Sequence, residues 1–189
     1  MARRRRLRGW EALGVLLLLV IYVVVEYPGV ALALALLALG AGLLWQASRR
    51  RREVLRVEQL SGRSLEEIDT FSGGDFEAWV TAVLQSAGIP AENIRDQGDF
   101  GIDVIATLGS VRVGIQVKRY AKSVGNDAVQ QALAGSAYHG CGLAAVVTQS
   151  RYTRAARAQA SRGRVPVLLV DREGLHELAD RLREFSESS

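Results

Sequence analysis

The amino-acid sequence predicts a mixed α/β domain preceded by a transmembrane helical hairpin. An apolar stretch between two arginine clusters occupies residues 10–45, and strand and helix patterns alternate through the rest of the chain. The 189 residues include one cysteine, which excludes a scaffold held by intramolecular disulfides. The length allows one domain of medium size, or a small domain with an appendage, and excludes a large multidomain enzyme.

The net charge of +4 is distributed very unevenly. Residues 1–52 carry a net charge of +7, and the remaining residues carry −3. The basic pI of about 9.6 therefore does not by itself indicate a nucleic-acid-binding protein. The nine arginines of the first segment stand at positions 3, 4, 5, 6, 8, 49, 50, 51 and 52.

The apolar stretch is longer than one membrane crossing needs, and Pro28-Gly29 is its natural break. We therefore expect two spans, 10–26 and 30–46, of 17 residues each. Arginines outside both spans place both termini and the following domain in the cytoplasm, as a multi-pass protein of the inner membrane. A cleaved signal peptide and a buried helical pair of a soluble protein are the alternatives.

Residues 47–70 are polar and charged, and we interpret them as a juxtamembrane linker with one or two helical turns. Ser64 and Glu67 match a capping box. After this linker, apolar residues at helical spacing predict an amphipathic helix that begins near Ser72 and ends at Gly88. Its apolar positions are Phe76, Trp79, Val80, Val83, Leu84 and Ala87.

The next segment predicts a β-hairpin around the two-residue loop Gly109-Ser110. In this register one face of the hairpin is entirely apolar, and a slip of one residue would destroy that separation. The other face places Asp103 directly opposite Gln116, with Lys118 two residues further along. Gly101 stands opposite Lys118 and leaves space beside it.

A carboxylate, a carboxamide and an amine together suit metal-assisted hydrolysis of phosphodiesters. Carboxylate and carbonyl oxygens are the hard ligands that Mg²⁺ prefers, and a nearby lysine can stabilise charge on a phosphate. Asp103, Gln116 and Lys118 are therefore the candidate site residues. An ordinary polar strand face is the alternative interpretation.

These residues closely resemble the Mrr-type restriction endonucleases of the PD-(D/E)xK nuclease superfamily, from about residue 71 to residue 160. The matching motifs are Phe76-Glu77, Gly98-Asp99-Phe100-Gly101-Ile102-Asp103, Gln116-Val117-Lys118, Ala145-Val146-Val147-Thr148 and the helix 155–160. Gln116 departs from the second carboxylate of the superfamily motif but is common in this subgroup. The resemblance implies a restriction-endonuclease-like core with a mixed central sheet flanked by helices.

The resemblance also implies roles for individual residues. Asp103, Gln116 and Glu77 would hold Mg²⁺, and Lys118 would be the catalytic amine. Asp99 matches an acidic position of the family. The alternative for Glu77 is an ordinary solvent-facing helix residue, because helices carry many such glutamates.

The remaining elements follow from composition and periodicity. We expect a helix from Asn126, an apolar strand over 143–148, a helix with arginines at intervals of three, a strand over 165–170, and an amphipathic helix over 171–185. No acidic residue occurs between Asp127 and Asp171, so this region can contact DNA phosphates, although a solvated helix face is the alternative. The candidate DNA contacts are Arg112, Arg119, Lys122, Arg151 and Arg154.

Together these observations predict a membrane hairpin over 1–46, a linker over 47–70, an Mrr-like endonuclease domain over 71–185 and a tail over 186–189. The predicted function is a membrane-anchored, Mg²⁺-dependent DNA endonuclease that acts in restriction of foreign DNA. A homodimer is expected for cleavage of both strands. Two rivals are a catalytically inactive nucleic-acid sensor or tether, and a membrane scaffold whose soluble domain binds protein.

Overall fold

The computed structural model describes residues 9–94, 100–163 and 165–189. The chain divides into two compact units, Met1–Glu53 and Val54–Ser189. Three features named above lie outside the described residues: the arginines at positions 3–8, Gly98 and Asp99.

Helices α1 (Gly9–Glu26) and α2 (Pro28–Ser61) occupy the start of the chain. Tyr27 is the single residue between them, so the break falls where it is expected, but Pro28 begins a helix rather than forming part of a turn. Proline suits this first helical position because its missing N–H would have no partner there. The connection is shorter than the two to five residues typical of an antiparallel helical hairpin.

The expectation of only one or two helical turns in the linker 47–70 is wrong, because α2 continues without interruption to Ser61. Residues 47–61 contain no proline or glycine and consist largely of arginine, glutamate and leucine, which are good helix formers. The capping box is confirmed: Ser64 and Glu67 cap the short helix α3 (Leu65–Ile68). Ile68 is fully buried, so packing of the domain begins before residue 71.

Helix α2 is the one described helix that is long and apolar enough to cross a membrane, by length and composition alone. None of its most apolar window is buried. The apolar part of α1, Leu13–Glu26, is shorter than a span of this kind. The two-span membrane hairpin therefore stays a prediction.

The second unit contains a five-stranded mixed sheet in the order β1-β2-β3-β4-β5, which confirms the predicted architecture. Strand β2 is antiparallel to both neighbours, and the pairs β3–β4 and β4–β5 are parallel. The strands are β1 (Ala91–Asn93), β2 (Val104–Leu108), β3 (Val111–Lys118), β4 (Leu143–Thr148) and β5 (Val167–Val170). The helices are α4 (Gly73–Ser86), α5 (Asn126–Tyr138), α6 (Arg154–Arg162), a 3₁₀ helix (Arg172–Glu177) and α7 (Leu178–Glu187).

The predicted hairpin register is confirmed from Val104 opposite Ile115 to Leu108 opposite Val111. Gly109 has φ of +59°, the positive value that the first loop residue of a type II′ turn requires. Burial of apolar residues on one face of each strand sets this register, since a shift by one residue would expose them.

Each face of the sheet carries its own hydrophobic core. Phe76, Leu84 and Leu182 belong to the core between the sheet and helices α4 and α7. Val129, Val146 and Ala156 belong to the core beneath α5 and α6 on the opposite face. Both faces of β3 and β4 are thus covered, which explains the uninterrupted apolar run of β4.

Helix α5 packs unusually close to the segment that precedes β2. A Cβ on Gly135 would lie 2.8 Å from the carbonyl oxygen of Phe100, and a Cβ on Gly101 would lie 2.6 Å from the carbonyl oxygen of Gln131. Glycine at these two positions therefore allows the backbones to touch. This contact fixes the chain two residues before Asp103.

Candidate active site

The candidate residues gather at one end of the sheet. Strands β1, β3, β4 and β5 all finish there and β2 begins there, so we call this end the carboxyl edge. Lys118 is the last residue of β3, and Asp103 immediately precedes β2. The backbone N–H of Ile94, just after β1, donates to the carbonyl of Asp103 at 2.9 Å.

Asp103 does not lie directly opposite Gln116 in the ladder, which corrects the sequence-based expectation. The backbone N–H of Asp103 donates to the carbonyl of Ile115 at 2.9 Å, and Ile115 is also the register partner of Val104. Two consecutive residues thus face one partner, which is the arrangement of a β-bulge. The space expected beside Lys118 from Gly101 is likewise not a feature of the ladder, because Gly101 packs against α5.

The bulge turns the Asp103 carboxylate onto β3. Its Oδ2 accepts hydrogen bonds from the backbone N–H of Val117 at 2.7 Å and from the side-chain amide of Gln116. Asp103 is 6% exposed and Gln116 is 2% exposed. A buried carboxylate needs such donors, since an unpaired charge in a low-dielectric interior is very costly.

Gln116 also presents a buried acceptor. Its Oε1 has no hydrogen-bond partner among the described residues. A carboxylate beside a carbonyl oxygen without a donor is a hard-donor set of the kind that divalent cations prefer. Within the described ranges no group of three His, Cys, Asp or Glu side chains could hold a metal, so a cation bound by Asp103 and Gln116 would take at most one further carboxylate and otherwise amide or water ligands.

Lys118 is half-buried and pairs in register with Thr148 of β4. Because side chains alternate along a strand, Lys118 and Gln116 lie on the same face of the sheet. The fully buried Thr148 has its hydroxyl oxygen engaged by the backbone N–H of Ser150 at 3.1 Å. Lys118 therefore stands at the carboxyl edge, on the same sheet face as the Gln116 amide.

Glu77 is 7% exposed, so it is not the solvent-facing residue that was the alternative. It lies in the first half of α4, which is joined to β1 by four residues and packs against that strand. This short connection makes α4 run opposite to β1, so its amino-terminal end lies at the carboxyl edge. Glu77 and Asp103 thus belong to the same end of the sheet.

The structure separates the candidate DNA contacts into two groups. Lys122, Arg151 and Arg154 are exposed on the loops that follow β3 and β4 and at the start of α6. Arg119 instead donates to the carbonyl of Asp69 at 2.5 Å. Arg112 lies near the opposite end of β3 and donates to the carbonyl of His139 at 2.8 Å.

Two residues at this edge, Gln149 and Ser150, are not identified as site residues by any pattern in the sequence. Gln149 is 8% exposed and its amide donates to the carbonyl of Tyr120 at 3.0 Å, and the Ser150 hydroxyl donates to the carbonyl of Lys122 at 3.0 Å. Both partners are nearly thirty positions away in the chain. Nothing in the local pattern of residues 149–150 distinguishes them from an ordinary polar loop.

Three solved structures are similar to this chain. One is described as the protein of unknown function AF1548 (18% identity, TM-score 0.46, 59% of this chain and 65% of that one). The second is the MspJI restriction endonuclease in complex with a 27-mer oligonucleotide (23% identity, TM-score 0.42, 66% of this chain and 31% of that one). The third is the DNA modification-dependent restriction endonuclease AspBHI (18% identity, TM-score 0.47, 69% of this chain and 36% of that one).

This chain spans just under two thirds of the length of AF1548 and about one third of each of the other two. No curated protein matches the chain. A restriction endonuclease family model, that of the Mrr catalytic domain, matches residues 68–179. Because this match covers more than half of the 189 residues, the chain belongs to the restriction endonuclease family.

Proposed function

We propose that this protein is a membrane-anchored, Mg²⁺-dependent DNA endonuclease that cleaves foreign DNA. The family supports cleavage of DNA in restriction. The observation that carries the proposed site is the buried Asp103 carboxylate, held by Val117 and Gln116 with Lys118 on the same sheet face as Gln116.

Restriction endonuclease domains generally use divalent metal ions. The donor set at the carboxyl edge fits one, because the Asp103 carboxylate and the Gln116 carbonyl oxygen lie together and Glu77 belongs to the same end. In this proposal these three residues hold Mg²⁺. When bound, the cation supplies Lewis-acid activation of water and neutralises charge on the phosphate.

The chain's own residues perform the remaining work. The Val117 N–H keeps Asp103 oriented by donating a hydrogen bond to its Oδ2. Lys118 places a positive charge beside the scissile phosphate and stabilises negative charge that develops there. Lys122, Arg151 and Arg154 contact the DNA backbone, and a homodimer cuts both strands.

A plasmid-cleavage assay on the full-length protein tests the catalytic part. We expect cleavage with Mg²⁺, none with EDTA, and none by Asp103→Ala or Lys118→Ala. Equal activity in the wild type and both variants would refute this site. DNA binding without cleavage in any divalent cation would support the inactive sensor or tether instead.

The membrane part of the proposal places α1 and α2 in the inner membrane with both termini in the cytoplasm. It is supported by the apolar, unburied window of α2 and by the arginines at positions 49–52 that follow it. Membrane fractionation and protease accessibility test it separately. Recovery of the full-length chain in the soluble fraction would refute the anchor without affecting the catalytic proposal.

A further inference from the structure

The loops 119–125 and 149–153 are joined along their whole length at the carboxyl edge. Gln149 donates to the carbonyl of Tyr120, and Ser150 donates to the carbonyl of Lys122, each at 3.0 Å. The backbone of Val124 donates to Arg151 at 2.8 Å and accepts from Thr153 at 3.0 Å. Four hydrogen bonds thus hold the segment that directly follows Lys118.

Two of these four bonds come from side chains and so depend on the identity of residues 149 and 150. Gln149 is more than nine-tenths buried, with its amide directed at Tyr120. Ser150 is itself anchored, because its N–H donates to Thr148 and its carbonyl accepts from the Arg172 N–H, both at 3.1 Å. The loop 149–153 is therefore the fixed partner, and it immobilises the loop 119–125.

The cationic side chains at this edge belong to the two loops and to the first residue of α6. Lys122, Arg151 and Arg154 are exposed, and none of them forms an ion pair with another described residue. Tyr120, 45% exposed, lies between Lys118 and Lys122 in the chain. By contrast, Arg157 is paired with Asp171 at 2.8 Å.

We propose that Gln149 and Ser150 are positioning residues that lock the two loops into one preformed surface for the DNA phosphate backbone. We call Lys122, Arg151 and Arg154 the basic loop surface. Its occupant is a polyanion, because the three cations form no ion pair with a described residue and residues 104–126 and 128–170 contain no acidic residue. The inference rests on the proposed nuclease function, since it assigns the surface to the same DNA.

Preorganisation is the physical basis of the effect. A loop that is already ordered loses little conformational entropy when DNA binds. A loop without these bonds must become ordered on binding, so it loses more conformational entropy and binds more weakly. Loss of either side-chain bond should therefore weaken DNA binding although neither residue touches the phosphate. It should raise KM and leave kcat close to that of the wild type, as expected for uniform binding.

The test compares Gln149→Met and Ser150→Ala in the full-length protein. Met keeps the length of the Gln side chain without its donor, and Ser150→Thr retains a hydroxyl. The matched control is Gln85→Met, because Gln85 makes the same kind of bond, at 2.8 Å to the Ala91 carbonyl, at the other end of the sheet. Binding of a labelled DNA duplex is measured in Ca²⁺ over a range of NaCl concentrations.

We expect Gln149→Met and Ser150→Ala each to raise Kd about tenfold, the factor that corresponds to ordering roughly one loop residue. Amide hydrogen exchange at Val124 should accelerate, while exchange in β4 should not change. Ser150→Thr and Gln85→Met should bind like the wild type. Lys122→Gln and Arg151→Gln should each lower the slope of log Kd against log NaCl concentration by about one, which corresponds to one released counterion fewer.

Wild-type Kd and wild-type exchange at Val124 in both Gln149→Met and Ser150→Ala would overturn the inference. If Gln149→Met does not fold, Ser150→Ala decides the question, because it removes only a hydroxyl group. Failure of the nuclease proposal gives a different pattern: the wild type binds DNA with the predicted salt dependence but cleaves nothing. Cleavage by the wild type with unaltered binding by both variants refutes the positioning role alone.

Discussion

The side-chain amide of Gln116 donates a hydrogen bond to the carboxylate of Asp103 across a β-bulge that ends the β2–β3 ladder. The same carboxylate oxygen accepts from the Val117 N–H at 2.7 Å. The carboxylate is thus oriented by two donors of β3, one from the backbone and one from a buried side chain. Both residues are almost completely buried, so changes at either position should be readily measurable.

Asp103→Asn should abolish DNA cleavage while preserving the fold. The Asn side chain keeps an oxygen that can accept from Val117, but it lacks the charge that a divalent cation requires. We expect the cleavage rate to fall by at least about 10³-fold, the upper part of the range for loss of one electrostatic contributor to a transition state. Initial rates of plasmid nicking measure this, with Asp180→Asn at an exposed position as the control. Cleavage within a few-fold of the wild type would exclude Asp103 from the site.

Gln116→Glu should make stability depend on divalent cations. The substitution replaces a donor with a second carboxylate against Asp103, and two buried carboxylates in contact repel each other. We expect Tm to fall without metal and to rise with Mg²⁺ by more than the Tm of the wild type does, because a cation binds only the folded site. Gln116→Met, which loses the donor without adding charge, should show no such recovery. Equal Mg²⁺ responses in all three proteins would contradict a cation at Asp103.

Gly135→Ala should destabilise the domain. The new Cβ would lie 2.8 Å from two backbone atoms of residues 100 and 101, which cannot move as a flexible side chain can. We expect a loss of about 1–3 kcal/mol in the free energy of unfolding, the usual cost of overpacking. Urea denaturation monitored by tryptophan fluorescence measures it. Gly142→Ala is the control, because its Cβ would have no neighbour closer than 3.9 Å. Equal stabilities of the two variants would contradict the close packing of α5.

Tyr152→Phe should reveal a contribution to stability that is lost at high pH. Burial raises the pKa of the Tyr152 phenol, whose hydroxyl donates to the carbonyls of Val146 at 2.7 Å and Val170 at 3.1 Å. A raised folded-state pKa means that the contribution is complete below about pH 10, the unfolded pKa of tyrosine, and declines above it. The stability difference between wild type and Tyr152→Phe should therefore shrink as pH rises beyond that value. A constant difference in urea denaturation up to pH 11 would disagree with this.

The hairpin shows how much of the fold can be predicted from the sequence. The alternation of apolar and polar residues around Gly109-Ser110 predicts the pairs from Val104–Ile115 to Leu108–Val111, all of which are present. The Pro28 break and the amphipathic helix ending at Gly88 are similarly local features. Such patterns succeed because the periodicity of a strand or helix records which face is buried.

Local patterns in the sequence predict only part of the candidate site. Asp103 and Gln116 do meet, but through a bulge that the regular hairpin register does not predict. The sequence does not predict how far α2 extends, because a charged segment without prolines or glycines fits both a linker and an exposed helix. The Arg119 contact with Asp69 joins residues 50 positions apart, and no local pattern predicts it.

The order of helices and strands along the chain, the hairpin register and the chemical identity of the residues at the carboxyl edge can be predicted from the amino-acid sequence alone. These depend on neighbouring residues, whose periodicity, turns and side-chain chemistry can be seen directly in the chain. The turn of Asp103 onto Val117, the burial of Glu77 and the identity of the lysines and arginines that form no ion pair are known only from the folded structure. Those outcomes depend on packing and hydrogen bonds between segments far apart in the chain, and so no local pattern contains them.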